Sequence, residues 1–194
     1  GGTASSCTVS AGGVPTELTV TTSGGSTRTL TATELGHAAT ILAVARSLGV
    51  SERGQQIAMM TALQESGLKM YANSSVPASL DYPHDAVGSD HDSVNFFQQR
   101  VSGWGSVKDL MDPTYAARAF FGGPDGPNEG SPRGLLDIPG WESMSLGEAA
   151  QTVQVSAFPD AYDKWEGAAP QIISSVGGSV SCDSSVLVGQ AAYP

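Results

Sequence analysis

Residues 51–67 read SERGQQIAMMTALQESG, and the interpretation of the chain turns on them. Ser51 is a good helix N-cap, Ile57, Met60 and Leu63 or Gln64 recur at helical spacing, and Gly67 supplies the usual stop. This pattern predicts a helix with Glu65 in its last turn. There the helix carbonyls place partial negative charge beside the carboxyl, and Leu63 and Leu68 flank it. Both effects disfavour the carboxylate, so the pKa of Glu65 is expected to rise. A carboxylic acid that keeps its proton near neutral pH is a candidate general acid.

Outward from this segment the chain continues to read as helices. Upstream, TATELGHAATILAVARSLG carries a Thr31–Glu34 capping box and is expected to end at Gly49. Downstream, Asp112-Pro113 opens PTYAARAFF, which stops at Gly122-Gly123. Ser145 and Glu148 form a further capping box for LGEAAQTVQVSA, and a short helix is expected in AYDKWEGAA after the break at Phe158-Pro159-Asp160. A short strand fits LTVTT, residues 18–22, and GGPDGPNEGSPRG, residues 122–134, reads as a surface loop. No fixed-period repeat occurs. The expectation is a mainly α fold: one compact domain over 31–170, a Gly/Ser/Thr-rich N-terminal arm over 1–30, and a C-terminal arm over 171–194.

With 194 residues, 40% of them hydrophobic, the chain can bury a core without metals or several disulfides. The longest apolar stretch, AATILAVA at 38–45, is far shorter than the roughly 20 residues that cross a bilayer, so no membrane association is expected. The sequence shows no basic segment followed by an apolar run, and any export signal is expected to lie outside it. Its two cysteines, Cys7 and Cys182, sit in the two arms, where a bridge would tie the ends together; the alternative is two buried free thiols. A Cys7–Cys182 disulfide and an oxidising, extracellular setting are expected. Nineteen acidic against nine basic residues give a net charge of −10 with no Lys/Arg cluster, which argues against a nucleic-acid partner. The same charge repels any polyanion, so binding to one would depend on a shaped cleft rather than on steering.

Between Lys69 and Asn95 lies a long segment rich in turn formers, longer than an idle connection usually is, and DSVNFFQQR follows at 92–100. At ALQESGL, residues 62–68, and at this second segment, the chain resembles the lytic transglycosylase and goose-type lysozyme superfamily. There a helix-ending Glu-Ser is followed by a Ser-x-Gly-Leu-Met-Gln-like segment lining a sugar cleft. Over residues 35–166, including SPRGLLDIPGWESMSLGEAAQTVQVSAFPDAYDKWE, the chain is similar to actinobacterial secreted or phage-associated proteins with a lysozyme-like domain. The resemblance covers roughly two-thirds of the sequence. It implies a lysozyme-like domain with Glu65 as proton donor and peptidoglycan glycan strands as substrate. It also implies that Ser66, Ser93, Gln98, Gln99 and Tyr162 line the cleft.

Two departures stand out. Asn95 occupies a place usually held by Gly; Asn tolerates the left-handed backbone best among other residues, and its side chain would narrow the cleft. VQVSAFPDAY, residues 153–162, replaces an Ala-Tyr-Asn-Ala-Gly-like motif, which leaves hydrolysis and transglycosylation both open.

A water on the far face of the sugar needs a second carboxylate. Asp81, Asp85, Asp90 and Asp92 lie in the intervening loop, and Asp92 and Asp90 are the expected candidates; the alternative is turn capping or simple solvation. Trp104, between glycines in SGWGS, is placed to stack on a sugar face, while Trp141 and Trp165 read as packed. His84, Asp85, Asp90, His91 and Asp92 are dense in potential ligands but fit no metal signature, so no metal and no cofactor are expected. No nucleophile elbow or Walker loop is present. The combined expectation is a secreted, monomeric muramidase. The rivals are a lytic transglycosylase acting through Glu65 alone and a non-catalytic wall-binding or phage-tail component.

Overall fold

The computed structural model describes residues 6–183; the outer ends of the two expected arms, 1–5 and 184–194, lie outside the described residues. The chain begins with β1 (Ser6–Val9) and a hairpin of β2 (Glu17–Thr21) and β3 (Thr27–Thr31), in which Glu17 faces Thr31 in antiparallel register. Val20 and Leu30 are completely buried, so alternate side chains of this hairpin enter the core.

Helix α1 (Ala32–Ser47) starts at Thr31, whose hydroxyl accepts from Glu34 N while the Glu34 carboxylate accepts from Thr31 N, completing the expected capping box. Its run Ile41–Ala45 is buried without interruption. A helix apolar on all sides must be enclosed. Here α5 (Pro113–Phe121), α7 (Ala168–Gly177) and α2 (Glu52–Ser66) surround it, with β1 and β8 (Val180–Asp183) on a further side. Helix α2 is capped by Ser51 and ends in a Schellman motif: Gly67 N donates to Leu63 O, Leu68 N reaches Ala62 O, and Gly67 adopts φ 63°. It packs on α6 (Leu146–Gln154) and α7.

Between α2 and α5 the chain forms a small region of short elements. Strand β4 (Tyr71–Asn73) pairs in parallel with β5 (Ala86–Gly88), and β6 (Ser93–Val94) pairs antiparallel with β7 (Gln99–Arg100). Two single-turn helices, α3 (Val101–Trp104) and α4 (Val107–Leu110), lead into α5, which starts at the expected Asp112 cap and stops at Gly122. Phe96 and Phe97 at the tip of the β6–β7 hairpin are fully buried, and Phe97 stacks on Phe120 of α5 with ring centroids 4.4 Å apart. Such aromatic pairs add about 0.5–1.5 kcal/mol beyond area burial. This fixes the hairpin against the helical core.

The expectation of a mainly α fold does not hold. Eight strands in four two-stranded sheets stand beside the seven helices, so the described residues form a mixed α/β fold. Outside the β2–β3 hairpin, which overlaps the strand expected at 18–22, the strands have two to four residues, too few to show a period-two pattern, and β1 finds its partner at the far end of the described chain. The two ends, expected as arms, hold β1, β2, β3 and β8 among the described residues. Strands β1 and β8 pair antiparallel with Cys7 opposite Cys182, and the two cysteines form the expected disulfide. Helix α7 spans the expected boundary at 170. No helix of the described residues is long and apolar enough to cross a membrane.

Candidate active site

Glu65 is the penultimate residue of α2, and Gln154 is the last residue of α6, the helix that packs against it. The Gln154 side-chain amide donates to Glu65 Oε2 at 2.7 Å and to Phe97 O at 2.7 Å, tying the carboxyl to the hairpin tip. Burial raises the pKa of Glu65; the hydrogen bond from Gln154 and then the nearby Tyr162 hydroxyl oppose this, and the charge of Asp90 adds to it. The sequence reading had the direction right. Desolvation is the largest cause.

Tyr162 is fully buried, and its hydroxyl has no hydrogen-bond partner of good geometry among the described residues. It nevertheless stands close enough to Glu65 to respond to it: burial first, then the Glu65 charge, push the phenol pKa up. The phenol therefore keeps its proton and remains a donor facing the carboxyl.

Glu65 opens into a cleft of about 450 Å³. The wall formed by the β6–β7 hairpin and the loop before it contributes Asp90, His91, Ser93, Gln98, Gln99 and Arg100, with Trp104 beyond them. The opposite wall is Gln154 and residues 155–158, where Val155 is 81% and Phe158 74% exposed. Apolar side chains this open on a cleft wall can meet the apolar face of a bound molecule.

Of the residues expected at the site, Glu65, Asp90, Ser93, Gln98, Gln99 and Trp104 are brought together here. Tyr162 lies behind Glu65. Ser66 does not reach the cleft: its buried hydroxyl donates to Phe96 O at 2.7 Å and lies 3.0 Å from Ala62 O, stitching α2 to the hairpin. Gln99 lines the cleft, yet its amide is committed inward, donating to Ala116 O and accepting from Asn95. Gln98 similarly donates to Asn95 O.

Asp92 is not among the cleft residues. Its carboxylate pairs with Arg100 and accepts from Ser102 N at 2.8 Å, and Arg100 holds its pKa below the usual carboxylate value. It anchors β7 and the start of α3. Asp85 accepts from Met70 N and pairs with His37 Nε2 at 2.8 Å, also away from the cleft. Among the described residues no group of three His, Cys, Asp or Glu side chains is arranged to hold a metal.

Asn95 adopts φ 66°, the left-handed backbone expected of it. Its side chain, however, does not narrow the cleft: it is fully buried, donating to Gln99 Oε1 and Leu110 O and accepting from Phe97 N. The amide locks the hairpin turn, a role glycine cannot fill.

Gln154, Arg100 and residues 155–158 were not singled out from sequence, and His91 was named only as one of several potential metal ligands. Only the replacement of the expected motif at 153–162 pointed toward the last group. No family model and no curated protein matches this chain.

Proposed function

We propose that this protein is a secreted muramidase of the lysozyme-like superfamily that hydrolyses the β-1,4 bond between N-acetylmuramic acid and N-acetylglucosamine in peptidoglycan. The observation that carries this is Glu65: a carboxyl with a raised pKa, held by Gln154, beside a protonated Tyr162, at the floor of an open cleft. Gln154 occupies Oε2 as a donor, which leaves Oε1 to carry the proton toward a glycosidic oxygen. Asp90 is the other carboxylate of the cleft. The disulfide suits an oxidising compartment, and the exposed Phe158 and half-buried Trp104 on the cleft suit a neutral sugar chain better than a polyanion.

The test is release of fragments from purified peptidoglycan by wild type and Glu65→Gln, with folding checked by circular dichroism. Fragments with reducing ends that vanish in a folded Glu65→Gln variant support the proposal. Anhydro-muropeptides would replace it with a lytic transglycosylase. Absence of any fragments from several wall types would leave a glycan-binding scaffold, and equal release by both proteins would show that Glu65 is not the acid.

A further inference from the structure

The cleft that holds Glu65 also presents a histidine that this reading leaves without a task. His91 and Asp90 both line the cleft, and His91 Nδ1 lies 2.6 Å from Asp90 Oδ1. A carboxylate can only accept, so Nδ1 carries a proton, and in the neutral ring Nε2 is the nitrogen with the lone pair. No described residue takes Nε2 as a partner. The side chains are 66% and 74% exposed, so water reaches the ring.

The loop that carries this pair is built rather than loose. Fully buried Asn73 directs its amide to three backbone acceptors, Asp90 O at 3.1 Å, His91 O at 3.2 Å and Ser93 O at 2.9 Å. His91 itself is held at φ 47°, an uncommon backbone for a residue with a Cβ. Arg100, the cation of the same wall, is committed to Asp92.

We infer that His91 is the general base of the cleft and Asp90 its positioning residue. This rests on the muramidase reading and deepens it. As Glu65 gives its proton to the glycosidic oxygen, the bond from that oxygen to the anomeric carbon breaks. A water then forms the new bond to the anomeric carbon and passes a proton to His91 Nε2. The imidazolium afterwards returns its proton to solvent and Glu65 takes one up. Groups that share such an inverting reaction stand about 6.5–9.5 Å apart with a water between them, and Glu65 and His91 line one cleft.

The experiment measures fragment release from peptidoglycan by wild type, His91→Ala and Asp90→Ala, with and without added imidazole. Nitrogen-15 NMR of the His91 ring is recorded alongside. Expected are reducing-end products from wild type, a loss of at least about 100-fold in His91→Ala that imidazole restores, and an Nδ1-protonated ring that loses this preference in Asp90→Ala. An undiminished His91→Ala, a slowed variant that imidazole does not restore, an Nε2-protonated ring, or anhydro products would each overturn the assignment. Failure of wild type to release any fragment sinks the muramidase reading and this inference with it. Equal release by wild type and His91→Ala sinks the role of His91 alone.

Discussion

Gly67→Ala tests how the N-terminal hairpin holds the Glu65 end of α2. Gly67 sits at φ 63°, and a Cβ there would stand 2.5 Å from Arg28 Cζ of β3. Arg28 currently donates to Gly67 O at 3.2 Å and lies 3.6 Å from the Glu34 carboxylate. A left-handed backbone costs a residue with a Cβ about 1 kcal/mol. The displaced guanidinium loses a hydrogen bond contributing about 0.5–1.5 kcal/mol and a part-exposed ion pair contributing about 0–1 kcal/mol. The expected destabilisation is therefore about 2–3 kcal/mol, a fall of roughly 4–12 °C in Tm for a chain of this size. In an Arg28→Ala background only the backbone cost remains, so a double-mutant cycle followed by thermal unfolding should give a coupling of about 1–2 kcal/mol. If Gly67→Ala costs the same in both backgrounds, Arg28 does not clamp the helix end and the reasoning is wrong.

Other outcomes follow from the same contacts. Glu65→Gln should lower fragment release by at least about 100-fold. Because the folded-state pKa of Glu65 is raised, the stability it contributes is complete in acid and lost as pH rises through that pKa. Glu65→Gln should thus melt higher than wild type at alkaline pH and match it in acid. Gln154→Leu removes a hydrogen bond that lowers the Glu65 pKa, so the alkaline limb of the activity profile should move to higher pH; a limb that stays or moves down refutes the contact. Asp92→Asn should retain activity and change stability by less than about 1 kcal/mol, since its pair with Arg100 is largely exposed. Replacing both Cys7 and Cys182 by serine should cost up to about 5 kcal/mol in denaturant unfolding, because the bridge closes a loop of 175 residues.

What could be read in advance was local. The caps at Thr31, Ser51, Asp112 and Ser145 each use a side chain that bonds a backbone N–H two or three residues away, so the signal lies within one turn. Even there the reading was generous at Ser145, where the hydroxyl accepts from Glu148 N without a return bond from the Glu148 side chain. Pairings were a different matter. Strand β1 meets β8 at the far end of the chain, and β6–β7 contains two residues on each side. No periodicity survives at that length.

The site divides along the same line. The environment of Glu65 was foreseeable because its helix end and apolar neighbours are adjacent in sequence, and Asn95 because its left-handed turn is a property of one residue. The contest between Asp90 and Asp92 was not, since both occur in one polar loop. What separates them is register: β7 places Arg100 beside Asp92, while Asn73 holds the backbone carbonyls of Asp90 and His91, which line the cleft. Gln154 had no local mark either. It becomes part of the site because α6 packs on α2 with both C-terminal ends at the cleft, so an ordinary helix-end glutamine becomes the donor that decides which Glu65 oxygen can hold the proton. Residues that carry charge or a special backbone announce themselves in a sequence. Those that orient them do so only through tertiary packing.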